Sequence, residues 1–241
     1  MSEALPRRVP ARAGLDWVTG TFKLFFKSPL MLSAAAAIFL GALIVLQFIP
    51  YAGAALSEII TPLLVAGFMR AFRAIDEGSD PEFPQLAAGF RSNALSLAMV
   101  GAIYLGMVTA VVLLMKGLGV DYAAMMQAMQ QGTSPEQLAA ELQGKGLLLL
   151  LGLALILPAL AATWYAPALI LFGNARPLQA MGLSLKACVI NWPALTVNGL
   201  AMIPAMLLVL IPLFGMLILL PVMLGTAYLG YQAMFAYKAG E

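Results

Sequence analysis

The sequence predicts an all-α, polytopic integral membrane protein with six transmembrane helices, and three observations carry that prediction. Residues 187–237, between Lys186 and Lys238, contain no Asp, Glu, Lys or Arg. The whole chain is 62% hydrophobic and 10% charged, where a soluble domain carries about 25% charged residues. Its other uncharged intervals are long enough to matter, because a bilayer core of about 30 Å is crossed by roughly 20 apolar residues. Backbone groups in lipid must bond within their own segment, so each such interval reads as a helix.

Taken in order, residues 1–28 are a basic, amphipathic N-terminal segment. Arg7, Arg8, Arg12, Asp16, Lys23 and Lys27 interrupt it. A cleavable signal peptide would need a long apolar core there, so the first span reads as a retained signal anchor. The spans are expected at 29–49, 51–72, 92–115, 146–173, 193–211 and 216–237. Ile49-Pro50 closes the first, and the second ends near Arg70 or Arg73. The last two turn at Ile211-Pro212-Leu213-Phe214-Gly215. Residues 117–145 form a small helical cap between spans three and four. In it, Ser134-Pro135-Glu136-Gln137 has the order of a helix start: serine as N-cap, proline as first helical residue, glutamine bonding back. Gly132 and Gly144 bracket that helix, and a second short helix is expected over Asp121–Gln131.

Cations assign the faces. With six crossings, the N-terminal side holds Arg7, Arg8, Arg12, Lys23, Lys27, Arg70, Arg73, Arg91, Arg176, Lys186 and Lys238. The opposite side holds Lys116 and Lys145 out of the same 13 cations. The N-terminal side is therefore expected to be cytoplasmic, with both termini inside and the 117–145 cap periplasmic.

Composition also excludes chemistry. The chain has no histidine and one cysteine, Cys188. That removes an intrachain disulfide, a histidine base, a Ser-His-Asp triad, His-ligated haem and the usual zinc sites. A net charge of +2 gives no footprint for nucleic acid. No cofactor and no metal is expected.

A pattern recurs along the chain. Each pair of spans follows an amphipathic stretch on the cytoplasmic side, expected to lie in the interface as a helix. In the first, Leu15, Val18, Phe22, Phe25 and Phe26 share a face opposite Asp16, Lys23 and Lys27, while Trp17 and Leu24 do not fit the division. The second is Phe83–Arg91, with Phe83, Leu86 and Phe90. The third is a stripe of Leu178, Met181, Leu185 and Cys188 or Val189, with Gln179 and Lys186 beside it. The turns Ile49-Pro50-Tyr51-Ala52-Gly53 and Ile211-Pro212-Leu213-Phe214-Gly215 echo each other, as do Met69-Arg70-Ala71-Phe72-Arg73-Ala74 and Met234-Phe235-Ala236-Tyr237-Lys238-Ala239. Three copies of an interfacial helix plus a transmembrane hairpin are the expectation, the middle copy expanded by residues 117–145.

Four motifs carry a family resemblance. They are Gly14-Leu15-Asp16-Trp17, Ile49-Pro50-x-x-Gly53, Leu86-x-x-Gly89-Phe90-Arg91, and Ala180-x-x-x-Ser184-x-x-Ala187-x-x-x-Asn191-Trp192. In this order the chain resembles an uncharacterised family of proteobacterial inner-membrane proteins, the BPSS-type family membrane proteins, over nearly its whole length. The resemblance implies a six-helix protein of the bacterial inner membrane and implies no activity.

Few residues suggest a site. Glu58 is the one acid within an expected crossing, and an intramembrane carboxylate defaults to a functional hypothesis. It faces either a cavity, with Ser57 and Thr61 as helpers, or the interface if its helix begins later. Tyr104 and Asn198, with Thr163, Trp164 and Tyr165, either line a polar pocket or bond helix to helix. Pro62, Pro158, Pro167, Pro204 and Pro221 lie inside spans, as packing kinks or as breaks exposing carbonyls. Trp17 and Trp192 suit the interfacial belt. Met125, Met126 and Met129 form a weak copper(I) pattern, which an amphipathic helix on lipid explains as well. Asp76, Glu77, Asp80 and Glu82 form a solvated acidic loop or pair with Arg70, Arg73 or Arg91.

The leading expectation is a non-enzymatic membrane protein, a structural or assembly partner or an organiser of lipid. Arg7, Arg8, Arg12, Lys23 and Lys27 are its candidate headgroup contacts. Membrane lipids are the expected partners. Small residues at Ala34–Ala37, Gly41 and Ala42 leave both a homo-oligomer and a membrane-protein partner open. The alternative is a transporter or channel for a small molecule, ion or lipid, with a cavity between hairpins lined by Glu58, Tyr104 or Asn198.

Overall fold

The computed structural model describes residues 5–134, 137, 143–211 and 214–235. Its elements are α1 (Ala13–Lys27), α2 (Pro29–Gln47), α3 (Gly53–Asp76), α4 (Phe83–Leu86), α5 (Ala88–Arg91), α6 (Ala94–Gly117) and α7 (Tyr122–Gln130). They continue as α8 (Gly146–Trp164), α9 (Ala166–Gly173), α10 (Pro177–Ile190), α11 (Trp192–Met206), a 3₁₀ turn (Leu207–Leu210) and α12 (Phe214–Phe235). There is no strand among the described residues. Six segments are long and apolar enough to cross a membrane: α2, α3, α6, α8 with α9, α11 with its 3₁₀ turn, and α12. Pro212 and Leu213 of the last turn, the body of the expected 132–144 helix, and Lys238 lie outside the described residues.

The chain divides into two compact units, one of residues 1–102 and 161–241, the other of residues 103–160. In the first unit α12 is the central helix. More than half of its apolar window, 56%, is buried inside the protein, against 44% for α3 and 22% for α2. It packs against α1, α2, α3 and the 3₁₀ turn. An aromatic series runs from Phe39 of α2 through Phe68 and Phe72 of α3 to Tyr228 of α12, with the Phe72 and Tyr228 rings stacked at 6.1 Å. In the second unit, Lys116 Nζ lies 2.9 Å from Asp121, which also accepts the Ala124 amide at the start of α7. The expected helix start at Ser134 has its reciprocal pair: Gln137 N donates to Ser134 Oγ, and Ser134 N donates to Gln137 Oε1, both at 3.3 Å.

The motif glycines mark where backbones touch. A Cβ on Gly14 would collide with the Ala194 carbonyl, so α1 crosses α11 at closest approach there. Gly67 of α3 meets the Leu86 carbonyl while Gly89 of α5 meets the Leu63 carbonyl, a reciprocal contact that lays α4–α5 across α3. The turns before α3 and α12 are built alike. In each, a glycine N–H donates at 3.0 Å to the carbonyl four residues back, Gly53 to Ile49 and Gly215 to Ile211. In each, the glycine also sits against the carbonyl seven residues back, Leu46 and Leu208. Glycine is required because any side chain would occupy the space of that oxygen.

The buried faces differ from those expected. In α1 the packed face is Ala13, Gly14, Trp17, Val18, Thr21, Leu24 and Phe25. Trp17 is 4% exposed, whereas Leu15 is 51% and Phe26 71% exposed. Trp17 is therefore a core residue rather than a belt residue, and Leu24 joins it. In α10 the packed face is the small-residue series Ala180, Ser184 and Ala187 with Met181, while Leu178 and Val189 are exposed. The physical reason is shared. Apolar side chains at the edge of a membrane protein face lipid as readily as protein, so a stripe of large hydrophobes does not identify the packed side. The Phe83–Arg91 stretch is two short helices broken at Ala87, started by Glu82 and Gln85 as a capping pair.

Candidate functional site

The N-terminal cations sit on an arm and helix fastened to the ends of other elements. Arg7 N donates to the Met234 carbonyl at 3.0 Å, and its guanidinium donates to the Ala233 carbonyl, covering the end of α12. Such end carbonyls have no partner within their own helix. Asn191, 1% exposed, holds the same arm. Its Oδ1 accepts the Val9 amide at 2.8 Å and its Nδ2 donates to the Arg7 carbonyl at 3.0 Å. Residues near the two ends of the chain are thus on one face of this unit. Arg8, Arg12, Lys23 and Lys27 are all exposed.

At 3.6 residues per turn, the exposed arc of α1 is itself divided. Exposed Leu15 and Phe26 form one edge, bordered by Phe22, which is half-buried against the core beside Val18, and Arg12, Lys23, Asp16 and Lys27 form the other, with Thr19 between. Phe22 and Phe26 stack at 6.4 Å along the apolar edge.

Glu58 is half-buried in the first third of α3, where its backbone carbonyl abuts Gly101. Ser57 and Thr61 do not serve it: Ser57 Oγ donates to the Gly53 carbonyl at 2.9 Å and accepts from Gln47, and Thr61 Oγ1 donates to the Ser57 carbonyl at 2.7 Å. Asn198 lies at the α1–α11 crossing, its backbone beside Gly14, and its Oδ1 is buried with no hydrogen-bond partner among the described residues. The two do not meet. Glu58 is 18 residues from the Asp76 end of α3, about 27 Å at 1.5 Å per residue, while Asn198 is only about 10 Å along α11 from Asn191. Asp76 and Asn191 mark the same face, through Gln232 and Met234 of α12. Tyr104 is half-buried on α6, in the second unit.

Sequence reasoning missed a polar cluster where α3, α9 and α12 end. Asp76 accepts from Gln232 Nε2 at 2.8 Å and from Tyr228 Oη at 3.2 Å. Arg73 pairs with Glu77 at 2.8 Å, one of the pairings the acidic loop left open, and its guanidinium lies 4.9 Å from the Phe172 ring centre. The echo between residues 69–74 and 234–239 was the signal that these ends matter, but partners so far apart in sequence leave no local pattern.

Ser184 repairs the helix break at Trp164–Ala166. Its hydroxyl donates to the Ala161 carbonyl at 2.6 Å and accepts the Tyr165 amide at 3.0 Å, an acceptor and a donor four residues apart that would pair with each other in an unbroken helix. Cys188, one turn on, points its Sγ at the same carbonyl, 3.6 Å away. Burial raises the Cys188 thiol to about 12. The side chains of Met126 and Met129 lie outside the described residues. No group of three or more His, Cys, Asp or Glu that could hold a metal occurs among the described residues.

One cavity of about 270 Å³ opens between α2, α3 and the α4–α5 pair. Ala35 and Ile38 of α2, Leu64 and Phe68 of α3, and Phe83 and Phe90 are among its walls, and all nine lining residues are apolar.

Six apolar helices with polar groups gathered at their ends define a polytopic α-helical membrane protein. No model of a known protein family matches the chain, and no solved structure matches it. It is 30% identical over 199 residues to a probable inner membrane protein of Burkholderia thailandensis, covering 80% of this chain and 73% of the relative. The chain belongs to the family of that inner membrane protein.

Proposed function

We propose that this protein is a non-enzymatic, structural component of the bacterial inner membrane that engages and organises the lipid around it, with both termini in the cytosol. The observation that carries the reading is the divided exposed arc of α1. One face of the helix is sealed against α11 and α12. The rest offers an apolar edge of exposed Leu15 and Phe26, with Phe22 half-buried behind them, beside Arg12, Lys23 and Lys27 with the single acid Asp16 among them. A helix held parallel to the headgroup layer needs that adjacency, with hydrocarbon contact on one edge and anionic phosphate on the next. The cation asymmetry between the two sides supports cytosolic termini. The separation of Glu58 from Asn198 supports a non-transporting role.

The test reconstitutes the full chain into nanodiscs of mixed phosphatidylglycerol and phosphatidylcholine and measures the composition of the retained lipid. The protein should enrich phosphatidylglycerol, and Arg12→Gln/Lys23→Gln/Lys27→Gln should abolish the enrichment. Equal composition in both would defeat the reading. Ion flux through reconstituted vesicles that vanishes in Glu58→Gln would replace it with transport.

A further inference from the structure

We infer that the cavity between α2, α3 and α4–α5 is a binding site for one acyl chain of a phospholipid, with the lipid phosphate toward Arg91. The inference rests on the lipid-engaging reading and names a site within it.

Depth locates the cleft. Ile38 lies nine residues into α2 from Pro29, about 14 Å along the helix, and Phe68 lies two residues before Arg70, about 3 Å from the first charge at the end of α3. Both wall residues are inside candidate spans, so the cleft runs from the charged end of α3 along apolar helix faces, where a lipid's chain and headgroup meet. An apolar cleft left empty there forfeits dispersion contacts along its whole lining. Water gains little in it, because every lining side chain is apolar. The walls are held open by backbone contact. Gly67 on the Leu86 carbonyl and Gly89 on the Leu63 carbonyl fix α4–α5 across α3, so these helices cannot slide to close the gap.

Lining and charge choose the occupant. All nine lining residues are apolar, and α2, α3 and the α4–α5 pair together wall the cleft, which suits the hydrocarbon of a single flexible chain laid along it. Arg91 directly follows the lining residue Phe90, is exposed, and is the only charged residue of α4 and α5. A guanidinium one residue beyond the lining has the charge to match a phosphate at the head of the chain.

The full protein, extracted in mild detergent, would be examined by native mass spectrometry before and after adding dioleoyl phosphatidylglycerol. The expected result is one phospholipid adduct that survives collisional removal of detergent. Ile38→Trp and Ala87→Phe, which fill the cleft from different walls, should each lose it, and Arg91→Gln should weaken it. Two filling variants are used so that misfolding of one, seen as a shifted gel-filtration profile, leaves the other to decide. An adduct retained in both filling variants, no adduct in the wild type, a bound fatty acid lacking phosphate, or an Arg91→Gln variant equal to wild type would each overturn the inference. The nanodisc enrichment that depends on Arg12, Lys23 and Lys27 is read separately, so this site can fail while the α1 reading stands, and the reverse.

Discussion

The side-chain amide of Asn191 donates to the carbonyl of Arg7 at 3.0 Å, joining positions 184 residues apart. Asn191 is almost wholly buried, and its Nδ2 also reaches the Ala187 carbonyl at 3.1 Å while its Oδ1 takes the Val9 amide. The arm at residues 7–9 is thereby paired to the α10–α11 junction and, through Arg7, to the end of α12. A leucine there would keep the volume and remove every one of these bonds.

Asn191→Leu should therefore release the arm before it unfolds the helices. Leaving such partners unmade costs about 1–3 kcal/mol. The direct readout is limited trypsin digestion in detergent, with cleavage after Arg8 and Arg12 faster than in wild type while far-ultraviolet circular dichroism is unchanged. Equal cleavage rates would show that Asn191 does not hold the arm.

The turn glycines give a paired prediction. Gly53→Ala and Gly215→Ala each place a Cβ against a carbonyl oxygen, that of Leu46 or Leu208, where only backbone movement makes room. Each should destabilise by about 1–3 kcal/mol, as overpacking of a tight contact does. Gly106→Ala meets nothing within 4 Å on the middle of α6 and should be neutral or stabilising by up to about 1 kcal/mol. Thermal unfolding in one detergent compares all three. A Gly106→Ala loss as large as the Gly53→Ala loss would remove the link between these contacts and stability.

Much of the fold was legible for one reason. A charge inside the bilayer is expensive, so the intervals free of Asp, Glu, Lys and Arg mark the helices: α2, α8–α9, α11 and α12 stand in them, α6 does but for Lys116 in its last turn, and α3 is interrupted by Glu58 and ends in Arg70, Arg73 and Asp76. The packed faces were harder, because exposed Leu15 and Phe26 are the same kind of side chain as buried Val18 and Phe25. Gly14, Gly53, Gly89, Ser184 and Asn191 were visible as motif positions, yet a motif names a residue and not its partner. The Asp76–Gln232 bond spans 156 positions, and nothing local in either segment announces the other. Glu58 stood out for its rarity in a span, a signal that finds a carboxylate without saying what faces it.

Cys188 offers a prediction with a defined sign. Burial raises its thiol to about 12, where a free cysteine titrates near 8.5. The folded state thus holds its proton more tightly than the unfolded chain. The stability tied to the neutral thiol is complete below the unfolded pKa and is lost as pH rises from about 8.5 toward 12. Alkylation requires the thiolate. At pH 8 the native protein should react with iodoacetamide on the order of a thousandfold more slowly than the same chain denatured in dodecyl sulfate. The contrast also reports on the Ser184 contact, since Ser184 and Cys188 share the Ala161 carbonyl. Ser184→Ala leaves the Tyr165 amide without its acceptor, loosens the helix break, and should raise the Cys188 rate. Native and denatured chains that react alike, or a Ser184→Ala variant as slow as wild type, would place the thiol outside the packed α9–α10 contact.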